Sequence, residues 1–469
     1  MIHLCKNIRF WIIFFFVVRL VGITNPPLEV SHNWRQTTVT MVARNFLEVN
    51  NNIFFPRVDF AGEKSGITGM EFPLLNYLIY LVSEVFGYQH WYGRLINLII
   101  TSIGIWYYYK LIRNYYNETI ALYSSVLLNV SIWFQFARKI MPDTFSMTLI
   151  IISIYYGTKY LHTNRKKYDL INLFAYIVFM VLGILSKLPS GYLLIVFLFF
   201  YLDNQVPLTK KILFTSVTFL GIIPIIFWYF YWVPYLVDNF GFWHFFMGKN
   251  IFQGIHEIMQ HLNLTASRFY DTALKYTGFV IFMYGLITSI INKDIKIYLL
   301  FILSFLSFSI VILKAGFNFP HHSYYIIPFV PIMALITGYG LNNIKYSKIS
   351  ILFLIAISIE NIANQFDDFT IKKENLSIIN LEEDLNKISL KNDLILINSG
   401  SCPTPMYFAH RKGWIEFNEK ILDKKHISLL KDKGLKYIVI LKKSFGTKVV
   451  LNEYKKILDN DNYCIYTLQ

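Results

Sequence analysis

Apolar residues in this chain are gathered into blocks with short polar punctuation between them, and no helical or strand alternation of polar positions runs through the blocks. The first block, Phe10 to Ile23, follows Lys6 and Arg9 and is followed by Asn25-Pro26-Pro27. No small-residue cleavage site stands there, so the block reads as a retained span and not as a leader peptide. Further blocks cover 91–112, 119–137, 144–162, 169–186, 189–202, 212–236, 276–292, 297–313, 323–341 and 348–364. Most are of roughly the length needed to cross about 30 Å of hydrocarbon, although some are short or abut their neighbours. The pattern predicts a polytopic α-helical membrane protein of about eleven spans, with thirteen as the upper count.

Polar loops test that threading. With the N-terminus in the cytoplasm, the even-numbered spans return the chain there at Arg113-Asn114, Asn164-Arg165-Lys166-Lys167, Lys210-Lys211, Asn292-Lys293-Asp294-Ile295-Lys296 and Lys345-Tyr346-Ser347-Lys348. All five loops are short and basic, as cytoplasmic loops are. An odd number of spans then leaves the C-terminal tail on the outer side. Three stretches too polar to be spans fall on that same side. The first is 24–90. The second, 237–275, reads as an amphipathic helix at the interface, with Trp243, Phe245 and Phe246 against His244, Lys249 and His256. The third is 366–469, where Asp393–Asn398 and Lys436–Leu441 read as buried strands, each preceded by a helical pattern, around 376–390 and 421–434. The expected organisation is a membrane domain over 1–365, whose first outer loop at 24–90 carries the chemistry, and a small extracytoplasmic α/β domain over 366–469.

Composition narrows the class. Of 469 residues 55 % are hydrophobic and only 16 % charged, against about 25 % charged in soluble domains. Lys and Arg number 44 against 29 Asp and Glu, a net charge of +15. A nucleic-acid binder would cluster its basic residues on a polar face, and no such face exists here, so no nucleic-acid partner is expected. Three cysteines support neither a disulfide scaffold nor a thiolate metal site. A bond between Cys402 and Cys464 stays open.

Chemistry concentrates in the first outer loop. It reads Ser31-His32-Asn33-Trp34-Arg35-Gln36, then Ala43-Arg44-Asn45-Phe46, Pro56-Arg57-Val58-Asp59 and Met70-Glu71-Phe72-Pro73-Leu74. Arg35, Asp59 and Glu71 are embedded among aromatics and prolines, whereas Glu63-Lys64 reads as solvated surface. An apolar helix over Leu74–Val85 is expected to lie at the membrane surface. Basic residues also stand at outer span ends, where the topological rule disfavours them: Arg138-Lys139 before Met141-Pro142-Asp143, Lys187 before Leu188-Pro189, and Lys314 before His321-His322-Ser323-Tyr324-Tyr325. Ionisable groups at such depths are costly and mark function. Their convergence on one face predicts a pocket for an anionic headgroup, which Arg binds bidentately. A carboxylate base with cations for a leaving phosphate makes up an inverting glycosyl-transfer site. Asp59, Glu71 and Asp143 are the carboxylates available.

These residues resemble the integral-membrane GT-C glycosyltransferases that use polyprenyl-phosphate sugars, relatives of the lipid A aminoarabinose transferase and the protein O-mannosyltransferases. The likeness is greatest to the bacterial branch called family 39 or RgtA/B/C/D-like. It rests on the first-loop segments above, on Arg138 to Asp143, on Lys187-Leu188-Pro189, on His322 to Pro331, and in the tail on Tyr407 to Trp414. The resemblance implies a GT-C fold and an acidic base in the first loop, with the lipid phosphate held by Arg and Lys. Two departures matter. The branch commonly carries an Asp near Thr38, and Phe72 stands where the aminoarabinose transferase has a phosphate-binding Lys. The expected base is therefore Asp59, with Glu71 second. The expected contacts to lipid phosphate and sugar are His32, Trp34, Arg35, Gln36, Arg57, Arg138, Asp143, Lys187, His322 and Tyr325.

The expected function is transfer of a sugar from a polyprenyl-phosphate donor to a lipid-linked glycan, lipopolysaccharide or protein, on the outer face of a bacterial cytoplasmic membrane. The alternative is a transporter or flippase of lipid-linked saccharides, but no internal repeat is present and the unusual charges sit at the rim, not at the midplane. No cofactor is required. A divalent metal on Glu71 and a histidine from 244–261 is a weaker expectation.

Overall fold

The computed structural model describes residues 6–162, 166–242, 248–443 and 449–468. They divide into two units, Met1–Ile23 with Arg94–Tyr229 and Phe246–Phe366, and Thr24–Gly93 with Phe230–Phe245 and Asp367–Gln469. The tail from Asp367 onward therefore belongs to the same unit as the first outer loop.

The first unit is helical. Among the described residues six helices of the chain are long and apolar enough to cross a membrane: Tyr92–Tyr115, Asp169–Ser186, Leu208–Phe240, Ile295–Ala315, Ser323–Asn342 and Ser347–Phe369. A seventh is counted if Leu262–Ala273 and Lys275–Ile291, bent by 95°, form one span. The other predicted blocks also form helices, at Ile8–Arg19, Glu118–Val130, Pro142–His162 and Leu188–Leu202, but these stand outside that set. At 12 residues, Ile8–Arg19 is short of the ~20 a perpendicular span needs. The 237–275 stretch is broken into Val233–Phe240, Ile251–Gln260 and Leu262–Ser267. Its residues Trp243 to Phe246 lie outside the described residues, and Phe252 and Met259 of the second piece face outward.

Packing in this unit follows from small residues. The Ser323–Asn342 segment is almost wholly buried. A Cβ on Gly338 would fall 2.2 Å from Ser124 Oγ of Glu118–Val130, and one on Gly285 would fall 2.3 Å from the Ile336 carbonyl oxygen. Backbones this close need glycine, as in membrane helix pairs generally. By contrast Ile295–Ala315 leaves Leu306 and Ile310 on the outside, an apolar face suited to lipid.

The second unit is built on a mixed five-stranded sheet of β1 (Leu394–Ile397), β2 (Gly413–Ile415), β3 (Leu435–Leu441), β4 (Lys455–Asp459) and β5 (Tyr463–Thr467), in the order β2-β1-β3-β5-β4. β1 runs parallel to β2 and β3, and β5 antiparallel to β3 and β4. β1 and β3 are the two strands expected from the sequence. Their apolar residues are continuous because both faces are covered. Ile395, Ile397, Tyr437, Val439 and Ile465 point to one side, where Met41, Val42 and Phe46 of the Asn33–Glu48 helix pack with Leu381 and Leu385. Leu396, Ile438, Ile440 and Cys464 point to the other, against Ile427 and Leu430 of the Lys424–Asp432 helix. β4 is an edge strand carrying exposed Lys455 and Lys456, which discourages further pairing. Cys402 and Cys464 are free thiols.

Gly413 joins the loop to the sheet. Its amide donates to the Asp59 carbonyl at 3.0 Å, and its own carbonyl accepts from the Gly62 amide at 2.7 Å. With φ at +153°, a Cβ there would sit 1.7 Å from the Ile395 carbonyl oxygen. Gly413→Ala is accordingly expected to destabilise this unit by about 2–3 kcal/mol, read as a lower Tm of the detergent-solubilised protein.

Candidate active site

The first-loop helix Asn33–Glu48 begins after Ser31 and His32, both with φ near +65°. Left-handed backbone at two successive non-glycine residues is strained, and such strain gathers at functional sites. The His32 carbonyl accepts the amides of Arg35 and Gln36, each at 3.1 Å, and so starts the helix. Two ion pairs then organise the loop. The Arg35 guanidinium pairs with Glu71 Oε1, and the Glu71 side chain is buried. One turn beyond the middle of the helix, Arg44 Nη2 donates to Asp59 Oδ2 at 3.0 Å while Asn45 Nδ2 donates to Asp59 Oδ1 at 2.7 Å. Both oxygens of Asp59 are thereby engaged by side chains of one helix.

Arg44 also reaches the tail. Nη1 donates to the Tyr407 carbonyl at 3.1 Å, and the guanidinium lies 4.7 Å from the Tyr407 ring centre. The Tyr407 hydroxyl is 2.6 Å from that of Tyr88. Burial pushes both phenols above the usual tyrosine value. Burial by itself would lower the Arg44 pKa, but the Asp59 carboxylate, with Tyr88 and Tyr407 beside it, raises it above the ordinary arginine value. Arg44 thus stays the charged guanidinium beside Asp59. Arg57 is half-buried, and that burial lowers its pKa; Nη1 donates to the Phe55 carbonyl at 3.3 Å. Thr38, where the related branch carries Asp, turns its hydroxyl onto the Trp34 carbonyl at 2.8 Å, and Gln36 is fully buried.

A second cluster lies wholly within the helical unit. Asp143, at the start of Pro142–His162, pairs with Lys187 at 3.4 Å, both side chains being largely buried. Lys187 Nζ is 5.4 Å from the Tyr324 ring centre, and Tyr324 stacks with Tyr325 at 4.9 Å and with His322 at 5.4 Å. Burial lowers the His322 pKa, and the positive charges of His321, Arg268 and Lys187 lower it further. Asp143 Oδ2 is buried and accepts no hydrogen bond among the described residues. A buried carboxylate oxygen without a donor is one that a ligand hydroxyl would satisfy. Arg138 stands apart in its use: Nη1 and Nη2 donate to the carbonyls of Arg19, Val21 and Gly22, where a cation favourably caps the end of Ile8–Arg19.

Of the residues expected from the sequence, Arg35 and Glu71 meet in one pair, Asp59 in another, and Asp143, Lys187, His322 and Tyr325 in the second cluster. Arg44, Asn45, Tyr88, Tyr407 and Arg268 lie outside the set of site residues expected from the sequence. Asn45 follows Arg44 directly in the first-loop segment and was within reach of pattern reading. Arg268 stands between Ser267 and Asp271, and no sequence spacing connects it to His322. Among the described residues no group of three His, Cys, Asp or Glu side chains is arranged to hold a metal ion. Glu71 is paired with Arg35 through Oε1.

The chain has the fold of the GT-C class, to which the solved glycosyltransferase structures it is similar to belong. Residues 71–231 match the family model described as dolichyl-phosphate-mannose-protein mannosyltransferase. The structure is similar to ArnT from Cupriavidus metallidurans in the apo state, with TM-score 0.60, 12 % identity and 97 % of each chain covered. The same protein bound to undecaprenyl phosphate matches with TM-score 0.60, 10 % identity and coverage of 97 % and 98 %. The Archaeoglobus fulgidus oligosaccharyltransferase in the apo form matches with TM-score 0.56, 12 % identity, 92 % of this chain and 69 % of that one. Compared by sequence with curated proteins, the chain has no significant match. The fold implied by the first-loop resemblance is the fold observed.

The tail adds a titratable clamp. His410 Nδ1 lies 2.5 Å from Glu382 Oε1 and its Nε2 lies 2.8 Å from Glu48 Oε2. Each ring nitrogen must carry a proton to donate to a carboxylate, so the ring is the imidazolium. Burial opposes that charge, yet the two carboxylates raise the His410 pKa above its ordinary 6.5. Although burial works against it, the hydrogen bond from His410 brings Glu48 down to about 2. A raised histidine pKa stabilises the fold below the unfolded value, and the gain is lost as pH rises through the folded value. The wild-type protein is therefore expected to lose stability relative to His410→Gln between pH 6.5 and the alkaline side, in thermal melts taken across pH 6–9. Arg44→Met, which leaves Asp59 buried without its cation, is expected to cost about 3–5 kcal/mol, read as a lowered Tm or loss of the folded protein.

Proposed function

We propose that this chain transfers a sugar from a polyprenyl-phosphate donor to an acceptor hydroxyl on the outer face of a bacterial cytoplasmic membrane, the acceptor being a lipid-linked glycan, lipopolysaccharide or protein. The carrying observation is the pair of Asp143 with Lys187, which lies against Tyr324 with His322 stacked beside that ring, and the buried Asp143 Oδ2 that accepts no hydrogen bond among the described residues; this favours an anion with hydroxyls beside it. Lys187 takes the phosphate, Asp143 holds Lys187 in place, and Asp143 Oδ2 accepts from a sugar hydroxyl. Undecaprenyl phosphate bound in the ArnT structure supports a lipid phosphate as the donor class.

Within the loop unit we assign the base to Glu71 ahead of Asp59, because Arg44 and Asn45 already hold both Asp59 oxygens. In the reaction the acceptor hydroxyl gives its proton to the carboxylate and its oxygen attacks the anomeric carbon. The bond from that carbon to the phosphate oxygen breaks, and the polyprenyl phosphate departs with the electron pair. Cationic groups lower the barrier by meeting charge as it develops on the phosphate. Neither the fold nor the family match lends support to the transporter alternative. The short basic loops favour a cytoplasmic N-terminus and an extracytoplasmic tail.

The test uses membranes containing the full chain, a radiolabelled polyprenyl-phosphate sugar, and surface glycan from a deletion strain as acceptor. Glu71→Gln is expected to lower kcat by about 10²–10⁴-fold with KM for the donor little changed. Lys187→Ala is expected to raise that KM by at least about tenfold, the equivalent of ~1.4 kcal/mol. Undiminished turnover by Glu71→Gln removes the base assignment. Failure of the wild-type protein to move label, combined with loss of lipid-linked sugar export in the deletion strain, overturns the transferase reading.

A further inference from the structure

The helical unit contains a cavity of about 610 Å³ that is separate from the Asp143–Lys187 cluster. Asp143 begins the Pro142–His162 helix and His162 ends it, which places the two about 28 Å apart at 1.5 Å per residue. The cavity belongs to the His162 end. Its walls are apolar, with Ile151, Ile154, Leu193, Val196 and Leu335 among them. Its mouth is different in kind. Tyr115 ends one helix, Asp203 follows the end of another, and Lys296 stands at the start of a third. His162 is held between aromatic rings, 5.2 Å from Phe200 and 6.0 Å from Tyr115.

These helix ends adjoin the basic turns Arg113, Lys210-Lys211 and Lys293–Lys296, the positions that sit at headgroup depth in a membrane protein. The volume lies in the range of about 300–1,000 Å³ typical of small-molecule sites, and the cavity is partly open. An apolar interior with both a cation and a carboxylate at its mouth suits an amphiphile whose head carries both charges. Asp203 has its Oδ1 turned to the Gln205 amide at 2.8 Å, and no ion pair is formed by it among the described residues.

We propose that this cavity binds one hydrocarbon chain of a zwitterionic membrane phospholipid, with the phosphate at Lys296 and His162 and the ammonium at Asp203. It is a site for a resident lipid and takes no part in the reaction proposed above.

The experiment is native mass spectrometry of the full-length protein, delipidated in detergent and then given dioleoyl phosphatidylethanolamine. One retained lipid per chain is expected for the wild-type protein and for Lys187→Ala. Ile154→Trp, which fills the cavity, is expected to lower retention at least tenfold, and Lys296→Glu, on the exposed mouth, at least threefold. The Lys296→Glu variant keeps the test open should Ile154→Trp fail to fold. Absence of a retained lipid on the wild-type protein overturns the proposal, as does equal retention by Lys296→Glu. So does displacement of the phospholipid by undecaprenyl phosphate in a manner abolished by Lys187→Ala, which would make the occupant the tail of the donor.

Discussion

The pairing of Arg44 with Asp59 is the interaction on which the second unit depends. One guanidinium satisfies a buried carboxylate, reaches the backbone of Tyr407 and covers its ring. The backbone of Asp59 meanwhile accepts the amide of Gly413 at the edge of the sheet. A buried charge without its partner is far more costly than the pair is favourable. This asymmetry leaves the first-loop helix, the Pro56–Asp59 segment and the tail with one common arrangement. Asn45 completes it by holding the second carboxylate oxygen, so Asp59 is better suited to anchoring than to proton transfer.

The helical unit solves a different problem. Its backbone groups are satisfied within helices, as an apolar surrounding requires, and its closest approaches are made through Gly285 and Gly338. Several of its ionisable side chains find a counter-charge or a carbonyl. Asp143 meets Lys187, Arg138 meets the end of the first helix, and Arg268 donates to the Pro320 carbonyl. Three cations that look alike along the chain therefore have three different roles. Lys187 is held by a carboxylate and flanked by Tyr324.

How far this was legible differs between the two units. The apolar blocks mark where helices form, because burial of apolar length is a property of each segment by itself. They mark the number of spans less well: six or seven helices meet the length and composition for crossing, whereas short pieces such as Ile8–Arg19 and Leu188–Leu202 depend on their neighbours. The strands at 394–397 and 435–441 were readable for the same local reason, while β2, β4 and β5 are short or polar and gain their pairing only from the sheet. The first loop and the tail read as separate because 270 residues and more lie between them in sequence. They fold together because Met41, Val42 and Phe46 cover the face of the sheet that Ile395, Ile397 and Val439 present.

The sequence by itself determined the class of protein, the first-loop segments and the short list of charged residues from which any site must be made. Those depend on composition and on motifs a few residues long. Only the tertiary structure decided which charge meets which. It put Arg44 rather than Arg57 on Asp59, joined Arg35 to Glu71, and set Arg268 beside His322. The reason is physical: a buried ion is stabilised by whatever partner the fold brings within hydrogen-bond reach, and that choice is made across the chain and not along it.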